Sequence, residues 1–182
     1  LVTTNAAGWA SFCAAENTTL SGEAKTYVCT AVDNNIVTLE PVTHIPANEG
    51  VFIKGEPNAT YQIAPAKTGD AVSINLIKGC LTATTLAGTE GAYILGVKNG
   101  EAGIYQVTSS ITVPAGKAYL QPATTGLAKF LSIAFPGSTT AIEGIEADGK
   151  ISSANKKYNL AGQRTESKQG IIIMDGKKYI IK

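Results

Sequence analysis

The sequence predicts an all-β fold, a duplicated antiparallel β-sandwich or partly open barrel with a small β-sheet appended at its C-terminus. Three observations carry this. Nineteen glycines, many threonines and short apolar runs rich in β-branched residues describe strands broken by frequent turns, and no window holds a helical period. Two stretches of the chain repeat one another. A break in composition at 136–140 then separates a second strand-turn-strand pattern from the first.

The repeated stretches read IVTLEPVTHIPANEGVF from Ile36 and IYQVTSSITVPAGKAYL from Ile104, and a constant offset of 68 sets Ile36 on Ile104, Leu39 on Val107, Ile45 on Val113 and Pro46-Ala47 on Pro114-Ala115. A shared offset across apolar positions and a Pro-Ala turn marks an internal duplication. Proline lacks an N–H and biases the residue before it toward extended backbone, so Ile45 and Val113 each end a strand. Asn48 and Gly116, two residues after each proline, are the residue types that tolerate positive φ and let the chain reverse. The two copies are expected to pack about an approximate twofold axis, because neither buries a sheet face alone.

Taken in order, Trp9–Ala14 and Thr26–Val32 read as strands, the second closed by Asp33-Asn34-Asn35 and returning through Ile36–Leu39. The second copy has Tyr93–Val97 and Ile104–Val107, with two more residues from tyrosine to isoleucine than the first, which places an insertion in the hairpin loop. Gly50–Lys54 with Thr60–Ala64 and Lys117–Gln121 with Ala128–Phe135 complete about four strands per unit. The segment 70–86 bridges the units, with Ile74, Leu76 and Ile77 expected inside. The organisation is thus a duplicated β domain over 1–137, with units of about 9–68 and 78–136, a linker over 138–156, and a small β module over 157–182. In that module Lys157–Leu160, Gly170–Met174 and Lys177–Lys182 read as strands, and Asp175-Gly176 is a type I′ hairpin signal. Its strands are apolar on alternate positions of both faces, which calls for a covering surface.

At 182 residues and a net charge of +1, the chain has room for one sizeable core and no electrostatic footprint for nucleic acid or an anionic membrane. The longest apolar run, near Ile171–Met174, is far short of the ~18 residues of a membrane span. Leu1 follows neither an initiator methionine nor a leader-like segment, so a signal peptide or an upstream domain is expected to have been removed. Cys13, Cys29 and Cys80 lack a C-x-x-C spacing and read as buried thiols; a Cys13–Cys29 pairing around the turn at Ser21-Gly22 is the alternative.

Four segments carry a resemblance. They are Thr3-Thr4-Asn5-Ala6-Ala7-Gly8-Trp9-Ala10, Ile45-Pro46-Ala47-Asn48-Glu49-Gly50-Val51, Val113-Pro114-Ala115-Gly116-Lys117-Ala118-Tyr119-Leu120, and Tyr158-Asn159-Leu160-Ala161-Gly162-Gln163-Arg164 with Gly176-Lys177-Lys178. Together they resemble the C-terminal regions of exported surface proteins of gut Bacteroidetes, of uncharacterised or adhesin type. The tail looks like a diverged type IX secretion C-terminal sorting domain, departing from that pattern at Thr165 and Ile172. The resemblance implies export, a cell-surface or extracellular location, and a role in adhesion or attachment.

No catalytic constellation is legible. His44, the single histidine, stands four residues after Glu40, and alternation places both on one face of a strand, with no activated nucleophile beside them. Neither a Gly-x-Ser-x-Gly elbow nor a phosphate-binding loop occurs. Glu143, Glu146 and Asp148 form the densest acidic run, read as a solvated stretch. Trp9, Tyr61, Tyr105 and Tyr158 are the aromatic candidates for stacking on a ligand, while Tyr27, Tyr93 and Tyr119 belong to the core. The expectation is a non-catalytic surface domain with no cofactor or metal, binding a glycan or a host or surface protein, or acting as a spacer. The alternative is an export or attachment module at the C-terminus. A glycan-processing enzyme is the third reading.

Overall fold

In the computed structural model the described residues are 1–98, 101–135, 170–174 and 177–181, and they form strands and turns with no helix. The chain divides into two compact units, Leu1–Gly137 and Ser138–Lys182. The sequence-expected linker 138–156 and the strand Lys157–Leu160 lie outside the described residues.

In the first unit the opening half consists of β1 (Val2–Thr3), β2 (Trp9–Phe12), β3 (Thr18–Leu20), β4 (Lys25–Asp33), β5 (Ile36–Val42), β6 (His44–Ile45), β7 (Val51–Lys54), β8 (Thr60–Tyr61) and β9 (Ile63–Pro65). The second half consists of β10 (Ile77–Cys80), β11 (Thr84–Leu86), β12 (Tyr93–Lys98), β13 (Glu101–Gln106), β14 (Ile111–Val113), β15 (Lys117–Leu120) and β16 (Phe130–Ala134). One nine-stranded sheet runs β10-β15-β12-β13-β16-β5-β4-β7-β2. Read outward from β16, that order is the same on both sides: β5-β4-β7-β2 is repeated as β13-β12-β15-β10. The small pairs repeat too, since Thr18 opposes Ile45 in β3–β6 and Thr84 opposes Val113 in β11–β14.

The twofold order of the sheet explains the one parallel pair among the described strands. An axis through the sheet at β16 makes β5 and β13 run in opposite directions, so β16 can be antiparallel to only one of them. It is antiparallel to β13 and parallel to β5, with Ser132 opposite Ile36. The sheet curls until its ends almost meet. Cys13 N donates to Gly116 O over 3.1 Å, Ala118 N to Ser11 Oγ over 3.3 Å, and Glu49 forms an isolated bridge with Lys78. Each Pro-Ala turn therefore faces the first strand of the other half, and the repeated turns form the closing seam of the barrel.

The register corrects the sequence alignment over part of its length. Tyr27 faces Phe52 and Tyr93 faces Leu120, which sets β4 on β12 at an offset of 66. Cys29 then opposes Leu39 as Leu95 opposes Ile104, so Ile104 corresponds to Leu39 and not to Ile36. No insertion lies in the hairpin loop, because Asp33 opposes Ile36 and Lys98 opposes Glu101, leaving two residues in each connection. In the first copy those residues, Asn34 and Asn35, have φ of 49° and 64°, as a type I′ turn demands. The copies differ instead by a bulge in β4 between Cys29 and Ala31 and by the longer path from Val107 to Val113. An apolar match in sequence tolerates a three-residue slip; a closed turn does not.

Three clusters fill the unit. The barrel interior holds Cys29, Val37, Leu39, Phe52, Ile77, Tyr93, Ile104, Leu120 and Leu131, all essentially buried. A second cluster of Val28, Ile45, Val51 and Ile53 lies on the other face of the first half, and a third of Cys80, Leu86, Val107 and Val113 on that of the second. Small sheets cover both outer faces, which is why β4 and β7 bury consecutive residues and do not alternate. Each large apolar side chain so buried contributes about 1.5–3 kcal/mol. The segment 70–86 is not a bridge: it carries β10 and β11, the counterparts of β2 and β3. Ile77 is buried as expected, but Ile74 is 55% exposed because it precedes β10 and points away from the barrel.

The second unit shows β17 (Gly170–Met174) paired antiparallel with β18 (Lys177–Ile181), with Gly170 opposite Ile181 and Met174 opposite Lys177. Asp175-Gly176 lies between them, outside the described residues.

Candidate functional site

His44 and Glu40 do not share a strand. The strand that sequence alternation would run through both breaks at Thr43, and His44 passes into the sheet of β3, β6 and β9. Its partner is Asp70, whose Oδ1 is 3.2 Å from His44 Nδ1 and whose Oδ2 accepts the Thr43 N–H at 2.6 Å and the His44 N–H at 3.2 Å. These donors, the Thr43 N–H first, hold the Asp70 carboxyl below the usual aspartate range. The carboxylate fixes the crossover from β5 to β6, a place where two peptide N–H groups would otherwise lack partners. Glu40 accepts a long 3.4 Å bond from Thr30 Oγ1. Among the described residues no hydroxyl or thiol bonds the imidazole, so the pair is an oriented histidine without a nucleophile. Glu143, Glu146 and Asp148 lie outside the described residues.

The aromatic candidates divide. Trp9 is only 6% exposed, stacked on Phe135 at 5.8 Å with Lys54 Nζ 5.6 Å from its ring, and it belongs to the core. Tyr61 lies against Gly55, and its hydroxyl accepts the Glu56 N–H at 2.8 Å. Tyr105 pairs at 5.3 Å with Phe130, which is 46% exposed, and the two rings cover the bare backbone of Gly96 and Gly103. Tyr158 lies outside the described residues. Tyr27 and Tyr93 are core residues as expected, and Tyr119 is partly buried.

All three cysteines are free and buried. Cys13 sits at the seam against Gly79 with Cys80 nearby, whereas Cys29 lies in the barrel, where burial pushes its thiol up to about 12. The Cys13–Cys29 alternative is therefore not formed. Asn75 is another satisfied polar group. Its Oδ1 accepts from Cys29 N and Ile77 N at 3.2 and 3.0 Å, and its Nδ2 donates to Glu49 Oε2 and Gly50 O at 2.7 and 2.9 Å. It meets the peptide groups that the β4 bulge leaves over.

A cleft of about 250 Å³ lies in the second half, between the loop 88–91 and the loop 121–127. Glu90, Gln106, Gln121, Thr124 and Thr125 give it hydrogen-bonding walls, and Gln121 Nε2 donates to Glu90 O at 2.9 Å across it. Gly91 and Gly126 have φ of 68° and 76° and open space where a side chain would stand.

The duplication shows what this cleft lacks. Loop 122–127 corresponds at offset 68 to Lys54–Ala59, and Gly126 to Asn58, which also has positive φ. In the first half that loop is covered by the chain's own start. Thr4 N donates to Ala59 O at 3.0 Å, Asn58 N to Asn5 O at 3.0 Å and Gly55 N to Gly8 O at 2.9 Å. Thr4 Oγ1 donates to Glu56 O at 2.6 Å and accepts from Ala59 N at 3.0 Å. In the second half the matching groups, the N–H of Ala123, Gly126 and Leu127 and the carbonyls of Thr124 and Leu127, have no partner among the described residues.

Sequence reading missed this site. The signals were the small-residue run Pro122-Ala123-Thr124-Thr125-Gly126 and its alignment with Lys54-Gly55-Glu56-Pro57-Asn58, but no residue type in it announces chemistry. Among the described residues no group of histidine, cysteine or acidic side chains could hold a metal ion, and no helix is long and apolar enough to cross a membrane. In comparisons with known proteins, no family model, curated protein or solved structure matches the chain.

Proposed function

We propose that the Leu1–Gly137 unit is a non-catalytic recognition module of an exported, cell-surface protein, binding a glycan or a host or surface protein through the cleft between loops 88–91 and 121–127. The observation that carries this reading is the asymmetry of the duplication: equivalent loops are covered by the chain's own residues in one half and stand open beside a polar cleft in the other. A purely structural spacer has no use for that difference. A cleft of this size, just under the ~300 Å³ at which drug-sized sites begin, suits one sugar ring or a few peptide residues. The full chain applied to glycan and host-matrix arrays should bind at least one class, and Thr125→Trp, at an exposed position on the cleft wall, should abolish the signal without changing the unfolding midpoint. Absence of binding on both arrays would leave the spacer reading in its place.

For the Ser138–Lys182 unit we propose export or surface attachment, supported by its separation as a compact unit and by the tail motifs. Cells expressing the protein without residues 141–182 should lose surface display. Normal display would remove that role.

A further inference from the structure

We infer that the ligand of the open cleft is an extended peptide segment, held by main-chain hydrogen bonds in the way Thr4–Gly8 is held in the first half. This rests on the recognition-module reading and names its partner class. The template is within the molecule: Thr4–Gly8 engages three N–H donors of the covered loop, those of Gly55, Asn58 and Ala59, and two carbonyls, those of Glu56 and Ala59, through its own Thr4 N–H and hydroxyl and the carbonyls of Asn5 and Gly8. Ala123, Thr124, Gly126 and Leu127 present the same sequence of donors and acceptors, with the same left-handed backbone at the third of the four positions. Alternating donors and acceptors are the complement of a peptide backbone, as in strand addition to an exposed edge.

Among the described residues, the counterpart of Thr4–Gly8 does not supply the occupant. The residues that match 2–8 at offset 66 are 68–74, and they are committed elsewhere: Gly69 packs on Pro46, Asp70 N donates to His44 O at 2.9 Å, and the Asp70 carboxylate holds Thr43 and His44. Tyr61, whose hydroxyl bonds Glu56 N in the first half, is matched by exposed Lys129, so Thr124 N is open as well. Among the described residues that line the cleft, Glu90 is the only one with a charged side chain, so the peptide is neutral or basic.

The probe is the peptide of residues 2–8, VTTNAAG, capped at both ends and titrated into the isotope-labelled full chain. Amide shifts confined to residues 88–91 and 121–127 and saturating at millimolar peptide or below are expected. Thr125→Trp should remove them, and Gly126→Asn should keep them, because Asn58 holds that position with the segment seated. A peptide with Thr4→Val should bind more than threefold more weakly, having lost the hydroxyl. No saturable shift, or shifts elsewhere, would overturn the inference. If methyl hexosides moved these amides while the peptide did not, the peptide inference would fall and the recognition module would stand. Silence with the peptide, hexosides and both arrays would remove both.

Discussion

Asn48 and Gly116 occupy the same place in the two halves, at φ of 66° and 76°, and each donates its N–H over 2.7 Å, to Ala14 O and Cys80 O respectively. Ala14 and Cys80 are themselves matched at offset 66, so the two turns are tied to their own halves identically before they meet across the seam. A non-glycine, non-asparagine residue in this backbone costs about 1–2 kcal/mol. Gly116→Ala should lower stability by that amount, and Asn48→Gly should change it by only a few tenths of a kcal/mol. Equal denaturant midpoints for wild type and Gly116→Ala would show that the turn is not fixed as described.

Across the seam, a methyl group on Gly50 would meet backbone atoms of Gly79 and Lys78 at 2.8 Å. Backbone cannot swing aside as a side-chain tip can, so Gly50→Ala should destabilise by about 1–3 kcal/mol. Its counterpart, Ala118, already carries that methyl group and is buried, which makes Ala118→Gly the control. A neutral Gly50→Ala would mean that the barrel ends do not approach this closely.

Asp70 gives a pH dependence of known sign. Its folded pKa lies below the ordinary value near 4, so its contribution is complete above that value and is lost as pH falls through the lower, folded one. The difference in unfolding midpoint between wild type and Asp70→Ala should be present at about pH 5 and should close as the pH falls below about 4. A gap that persisted undiminished well below the ordinary aspartate range would contradict the bonding at Thr43 and His44.

Much of the fold was legible because turn chemistry and strand periodicity are local. Pro46, Pro114, Asn48 and Gly116 announced the repeated turn, and Asn34-Asn35 closed the hairpin where expected. The register of β5 was not legible, because Ile36 and Leu39 are equally good apolar matches for Ile104 and only the two-residue connection decides between them. Short strands such as β3 and β11 were missed because three residues carry no period; their pairing with β6 and β14 across more than 20 residues is what defines them. The cleft was illegible for a different reason. Its character comes from what covers Gly55–Ala59 and fails to cover Ala123–Leu127, a relation between distant segments that no motif within either loop encodes.

Residue-resolved amide hydrogen exchange on the free full-length chain tests that relation most directly. The N–H groups of Gly55, Asn58 and Ala59 are bonded within the fold and should exchange at least tenfold more slowly than those of Ala123, Gly126 and Leu127, corrected for intrinsic rates. Equal protection of the two loops in the free protein would mean that the second is already covered, and the open recognition site would not exist.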